Sequence, residues 1–376
     1  MNENLRLGRI AGIPIGINWS VLVVLWLLAW SLAAGYLPDA EPGYRSSEYW
    51  AVGVVAALVF LISLLAHELA HALVALRAGV GVTGITLWLF GGVSKLDREA
   101  STPAAELRIA LAGPAVSLSV AGIGGAAAVA LDAIGAPRLL IAALAWLATI
   151  NLILGVFNLI PAAPLDGGRV LRAVLWQRRG DHLSASLSAA NAGRFFGFVL
   201  IGLGLLQALA GLLVGGLWLV FLGWFLLSAA RAEQTHALLF EALADVPVRR
   251  IMSSPVVTVG SGVTLRSLID DLVMQHPCSA FAVTDREGRS VGLITLAKVK
   301  GVSTHLWSTT TVGDICTPID HVVRATPDEL AVQLLTDLSS SADGRALVMD
   351  DDRLVGVVTP TDVVRMSEMA MLRAGT

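Results

Sequence analysis

Cysteine is almost absent from this chain: Cys278 and Cys316 are the only two among 376 residues. Two thiols make no disulfide framework, and their separation fits no zinc-finger spacing, so both read as reduced structural side chains in a cytoplasmic segment. Charge is scarce as well, at 15% of residues with a formal net charge of -3. A balance so near neutral offers no basic face, and no nucleic-acid partner is expected. A cleavable leader is not visible either, because the first apolar run, from Ile17 to Leu37, is long enough to be kept as a span.

What fills the chain instead is apolar. Hydrophobic residues make up 55% of it, and its mean hydropathy is +0.73, too high for a wholly soluble protein. The apolarity is uneven. Leu, Ala, Val and Gly dominate residues 1–232, whereas beyond Arg231 charge rises and apolar runs shorten to strand length. We therefore expect a transmembrane domain over 1–232, a linker over 233–245, and a cytoplasmic α/β domain over 246–376 built from two halves, about 246–305 and 311–370.

A membrane helix needs roughly 20 apolar residues. Six runs qualify, near Ile17–Leu37, Tyr49–Leu73, Leu107–Leu131, Leu139–Leu159, Phe195–Val214 and Leu217–Ala230. Arginine and lysine concentrate before the first run, between the second and third, between the fourth and fifth, and after the sixth. The positive-inside rule then puts both termini in the cytoplasm of a multi-pass protein in the cell membrane. The stretch Val82–Leu96 is apolar but too short to span. It reads as a re-entrant hairpin or loop at membrane depth, or else as an interfacial loop.

The cytoplasmic part contains a repeat. Val291-Gly292-Leu293-Ile294-Thr295 and Val355-Gly356-Val357-Val358-Thr359 are matching strand-like runs, and each half pairs such strands with a helix (Leu265–Gln275 and Asp328–Leu338).

The sharpest signal is His67-Glu68-Leu69-Ala70-His71, at the end of the second apolar run. An ionised side chain at mid-bilayer costs roughly 2.5–3.5 kcal/mol on insertion scales, so three polar groups within five positions require a compensating partner. Residues four apart share a helix face. Two imidazoles placed that way can bind one zinc ion and leave Glu68 beside it as general base. Of the seven histidines, only these two fall in expected spans. A catalytic zinc usually has three protein ligands. Asp166 is the best third candidate, in Asn158-Leu159-Ile160-Pro161-Ala162-Ala163-Pro164-Leu165-Asp166-Gly167-Gly168, where Pro161 and Pro164 should break the fourth helix. Taken alone, Asp166 also suits the cap of the following helix, Arg169–Arg179.

These motifs in combination resemble the site-2 protease family of intramembrane zinc metalloproteases (M50 type), in particular the branch with a C-terminal pair of CBS domains that includes a sporulation protease acting on a sigma-factor precursor. The likeness extends to Gly12-Ile13-Pro14, Phe90-Gly91-Gly92 and Ala112-Gly113-Pro114-Ala115. It implies one Zn2+ per chain on His67, His71 and Asp166, with Glu68 activating water. It implies substrate contacts at Asn158, Gly91 and Gly92. The substrate class would be a single-pass membrane protein such as an anti-sigma factor or sigma-factor precursor, met in the lipid bilayer. The CBS resemblance implies an adenine nucleotide contacted by Thr359 and Asp362, modulation of proteolysis by the pair, and a homodimer through it. Lys298 stands in the first half where the second has Asp362. Two further departures are Ser117, where many relatives carry asparagine, and Asn18, where many carry histidine. The competing reading is a CBS-gated membrane transporter or channel, which would place polar residues along several helices.

Overall fold

The computed structural model describes residues 5–88, 91–96, 99–276, 278–341, 343–351 and 353–373. They form two compact units, 1–235 and 236–376.

The first unit opens with a hairpin, β1 (Leu5–Ile10) and β2 (Ile13–Ile17). Ala11 and Gly12 turn it at φ 50° and 82°. The first span follows as α1 (Ser20–Ser31), a π-turn over Leu32–Tyr36 and α2 (Leu37–Ala40). Asn18 starts it locally, its Oδ1 accepting from the Ser20 N–H at 3.0 Å. The long α3 (Ser46–Arg77) leads into β3 (Val82–Trp88) and β4 (Gly91–Leu96). Thus the short apolar stretch is a hairpin, but not an isolated one. β3 pairs in parallel with β2 through Ile15–Ile85 and Ile17–Leu87, giving one sheet of order β1-β2-β3-β4. Pairing hides the backbone polar groups that lipid could not satisfy.

Then come α4 (Pro103–Ala133), α5 (Arg138–Asn158), the short α6 (Asp166–Arg179), α7 (His182–Leu209) and α8 (Leu213–Leu243). Among the described residues six helical segments, Ser20–Ala40 together with α3, α4, α5, α7 and α8, are long and apolar enough to cross a membrane. Their outward faces carry large apolar side chains such as Ile123, Val129 and Leu205, which belong in lipid rather than water. The bounds differ most from the sequence reading at the last two spans, where α7 begins at His182 rather than Phe195 and α8 runs on to Leu243 rather than Ala230. The fifth run was expected to continue to Val214, but Gly211 takes φ 89° and the chain turns there, so α7 ends at Leu209 and α8 begins at Leu213.

The second unit has the repeat expected of it. The first half contains β5 (Thr258–Gly260), α9 (Leu265–Ser267) with a π-turn over Leu268–Val273, β6 (Ala280–Thr284), β7 (Ser290–Thr295) and α10 (Leu296–Lys300). After α11 (Val312–Ile315), β8 (Thr317–Pro318) closes the first sheet, of order β5-β6-β7-β8. The second half holds β9 (Val323–Ala325), α12 (Ala331–Ser340), β10 (Ala346–Asp350), β11 (Arg353–Val358) and α13 (Pro360–Arg373), with sheet order β11-β10-β9. In each half a parallel strand pair and an antiparallel one share the middle strand.

Candidate metal centre

Helix geometry puts His67 and His71 on one face of α3, and both rings are buried, at 3% and 6% exposure. Asp166 arrives from another direction. After α5 ends at Asn158, the chain runs through Pro161 and Pro164 and re-enters a helix at Asp166 itself. Two close approaches hold it there. A Cβ on Gly167 would fall on the carbonyls of Leu159 and Ile160, and one on Gly168 would strike Ala162 and Ala163. The loop is also tied to α7, with the Ala163 N–H donating to Ala189 O at 3.2 Å. Asp166 is therefore both the first residue of a helix and a neighbour of the two imidazoles; the two sequence readings of it are compatible.

The three side chains meet in a near-equilateral triangle. His67 Nε2 and His71 Nε2 are 3.2 Å apart, His71 Nε2 and Asp166 Oδ2 3.2 Å, and His67 Nε2 and Asp166 Oδ2 3.3 Å. Zinc ligands at about 2.0–2.1 Å in tetrahedral array stand about 3.3–3.4 Å from one another. The triangle is one face of such a tetrahedron. Tautomers point the same way. His71 Nδ1 lies 2.6 Å from the Ile109 carbonyl O, which can only accept, so Nδ1 carries the proton and Nε2 offers its lone pair. His67 Nδ1 is held by Ser117 Oγ at 2.9 Å. Lone pairs and a carboxylate thus converge on one point, and a single proton can satisfy only one pair of them at a time. The donor set fits zinc, and it is the one group of three or more His, Cys, Asp or Glu side chains among the described residues arranged to hold a metal.

Both supporting contacts come from α4, as does the wall behind the rings: a Cβ at Gly113 would lie 2.5 Å from His67 Nε2. Glu68 projects beside the triangle toward β4. Ser94 Oγ lies 3.1 Å from Glu68 Oε2, and a Cβ at Gly92 would come within 2.6 Å of Glu68 Cδ. Gly92 thus abuts the Glu68 side chain, while Gly91 takes φ 130°. Phe90 lies outside the described residues. The Asn158 amide donates to Leu154 O, one turn back in α5, at 3.0 Å.

Sequence reasoning missed two contributors. Ser94 gave no signal beyond being polar in an apolar hairpin. Ser117 was noticed only as a departure, and it is the hydroxyl that orients His67. A third feature anchors α6 to α4. The Arg172 guanidinium, nearly buried, binds Glu106 through Nε at 2.6 Å and reaches Glu233 of α8 at 3.3 Å. Glu106 is 1% exposed and sits three residues before Ile109. One buried ion pair therefore joins the helix that carries Asp166 to the helix that holds both imidazoles.

In the second unit, Thr359 and Asp362 lie at the start of α13. Asp362 is 3% exposed. Its Oδ2 accepts from the Thr359 N–H at 2.9 Å and the Thr359 hydroxyl at 2.7 Å, and its Oδ1 from Ser253 Oγ at 2.7 Å and Arg365 at 2.8 Å. The carboxylate caps the helix, and a ribose could reach it only by displacing Ser253 or Arg365.

Comparison with known proteins gives this arrangement a family. The Peptidase family M50 model matches residues 55–136 and 132–203, and the CBS domain model matches 248–302 and 312–368. The protein described as "putative zinc metalloprotease Rip3" of Mycobacterium tuberculosis is 46% identical over 99% of this chain and 95% of its own length. The chain belongs to peptidase family M50. Zinc metalloprotease MJ0392 of Methanocaldococcus jannaschii is 27% identical over 99% of this chain and 98% of its own. A solved site-2 protease from that organism is 31% identical, covering 61% of this chain and 94% of its own, with a TM-score of 0.42. This M50 member is a multi-pass zinc metalloprotease of the site-2 type that carries a CBS pair.

Proposed function

We propose that the chain cuts a peptide bond in or beside the membrane-spanning segment of another protein, at zinc held by His67 Nε2, His71 Nε2 and Asp166 Oδ2. The near-equal three-way spacing of those atoms, two from α3 and one from α6, carries the reading. When bound, zinc lowers the pKa of its water to about 7 and polarises a carbonyl. The remaining chemistry belongs to the chain. Glu68 takes the proton from the attacking water and returns it to the leaving amine, and Ser94 keeps its carboxylate aimed across the site. Ser117 and Ile109 O hold the imidazoles with their Nε2 lone pairs inward.

A helical substrate hides its carbonyls in its own hydrogen bonds, so it must unwind before attack. β4 supports a place for the unwound strand. It ends the sheet, with β3 on one side only, and it carries Gly91, Gly92 and Ser94 alongside Glu68. An extended peptide can add to that edge, and a single-pass protein such as an anti-sigma factor or sigma-factor precursor has the required form. Asn158, in our reading, turns toward the substrate only when one is bound. The arginine-rich loops support a reading with both termini, and with them the CBS pair, in the cytoplasm. An adenine nucleotide at the pair near Thr359, and pairing of two chains through it, complete the proposal.

Purified full-length protein in proteoliposomes with a single-pass test substrate decides the matter. Zinc-loaded wild type should cut within the span by mass spectrometry, and Glu68→Gln should keep its zinc and leave the substrate whole. Equal product from both would reject the assignment of Glu68.

A further inference from the structure

Helix α6 buries Gly167, Gly168, Arg172 and Ala173. Three of these are small and present almost nothing that could interlock with a neighbouring helix. Packed helices resist sliding and turning through side chains seated in one another's grooves, and Arg172 is the one large side chain buried on α6. An apolar side chain of similar volume would fill the same place without burying a charge, and such replacements of a buried ion pair are often neutral or stabilising. Stability alone therefore does not account for an arginine there.

The guanidinium is gripped by carboxylates from separate elements. Nε donates to Glu106 Oε1 at 2.6 Å, and Nη2 pairs with the same oxygen. Nη1 pairs with Glu233 Oε1 at 3.3 Å and lies 3.7 Å from Glu99 Oε1. Glu106 belongs to α4 and Glu233 to α8, while Glu99 precedes α4. A planar fork held in this way has a fixed direction as well as a fixed place, so it opposes rotation of α6 about its own axis. The consequence falls on Asp166, the first residue of the same helix. Side chains reach about 5 Å from a helix axis, so a turn of about 10° would carry the Asp166 carboxylate about 1 Å. Metal–ligand distances hold to within about 0.2 Å, and a shift of that size would open the triangle.

We propose that Arg172 is a positioning residue for the metal centre: its ion pairs to Glu106 and Glu233 fix the rotation of α6, and with it the place of the Asp166 carboxylate against His67 and His71. Glu106 works from the other side of the same contact. It lies three residues before Ile109, whose carbonyl holds His71 Nδ1 at 2.6 Å, so the pair ties the third ligand to the support of the second. The inference rests on the three-ligand zinc site and adds what keeps its members in register.

Zinc affinity of the full chain in detergent, measured by competition with a chelator, tests it together with the visible absorption of the cobalt(II)-loaded protein, which reports ligand geometry. The decisive variant carries Glu106→Gln and Arg172→Met together. It removes both charges at once, so neither is stranded and the net charge near the metal is unchanged. We expect it to recover part of the melting temperature that either single change loses, yet to bind zinc about 10- to 100-fold more weakly, the scale for losing an outer contact, with an altered cobalt spectrum. Glu233→Gln removes only the partly exposed arm, leaves the buried pair intact and should weaken zinc about 2- to 5-fold. Arg178→Gln, an exposed arginine of the same helix, should bind zinc as wild type does. Wild-type affinity and spectrum in the double variant would overturn the positioning role and leave the zinc site standing; if that variant fails to fold, wild-type affinity in Glu233→Gln would do the same. A wild-type protein that takes up no zinc would remove both.

Discussion

Two glycines flank the site from opposite sides, and alanine at each should damage a different function. At Gly113 the added methyl would stand 2.5 Å from His67 Nε2 and 2.7 Å from His67 Cδ2, and closer still to His71 Nε2. Ordinary contact needs about 3.5 Å, so the deficit is about 1 Å and it falls on two ligand atoms. Either the rings swing away or α4 retreats, and α4 is the helix that supplies Ser117 Oγ and Ile109 O. Both responses open the 3.2–3.3 Å triangle. Losing an outer contact alone costs about 10- to 100-fold in metal affinity, and Gly113→Ala should cost at least that. Overpacking should add about 1–3 kcal/mol of destabilisation, offset in part by the roughly 1 kcal/mol that alanine gains over glycine within a helix, so the variant should fold. At Gly92 the methyl would meet Glu68 Cδ at 2.6 Å and Oε1 at 2.9 Å and leave the metal ligands alone. Gly92→Ala should keep a full complement of zinc and lose about 100-fold in cleavage rate, the scale for a misplacement of about 1 Å. Zinc per chain by mass spectrometry and initial rates on the single-pass substrate separate the two. Wild-type zinc affinity in Gly113→Ala, or zinc loss in Gly92→Ala matching that in Gly113→Ala, would refute the packing described around the triangle.

Other outcomes follow from the same contacts. Ser117→Ala should weaken zinc about 10- to 100-fold with little change in melting temperature, since it frees one ring nitrogen without opening a large cavity; unchanged affinity would remove Ser117 from the site. Glu106→Gln and Arg172→Met should each destabilise the protein by about 3–5 kcal/mol by stranding a buried charge, with the double variant recovering part of the loss; thermal unfolding in detergent reads this, and simple additivity would contradict it. A zinc chelator should abolish cleavage, and added zinc should restore it. Burial pushes the Cys316 thiol above its ordinary value, against a smaller lowering by Lys298. Its alkylation should therefore be slow at neutral pH and rise only in alkaline solution, and a rate at pH 7 equal to that of a free thiol would contradict the burial.

The spans and the pairing of His67 with His71 on one helix face were legible because their signals are local: apolar runs of helical length, and a His-Glu-x-x-His that lipid makes expensive. What escaped was non-local. β1 and β2 are short, and β1 is exposed along its whole length. The hairpin's reason is the parallel pairing of Ile15 with Ile85, seventy residues on, and no periodicity announces that. Ser94 and Ser117 act through single hydroxyls, which leave no pattern in a chain rich in serine turns and helix ends. Helices α4 and α7 begin before, and α8 runs past, the apolar runs that revealed them, because their more polar ends need not lie in lipid. At Asp166 the sequence left open a ligand or a helix start, and the fold uses the start of α6 to deliver the ligand. In the second unit the reading of Asp362 as a ribose contact did not foresee that Ser253, from 109 residues earlier, donates to it.

Zinc K-edge absorption of the freshly purified full-length protein, combined with metal content of His67→Ala, His71→Ala and Asp166→Ala, addresses the metal centre most directly. We expect one zinc per chain, with two imidazole nitrogens and oxygen ligands at about 2.0–2.2 Å, and loss of the metal in each variant. A protein that takes up no zinc when it is offered, or that keeps its full zinc without Asp166, would contradict the assignment.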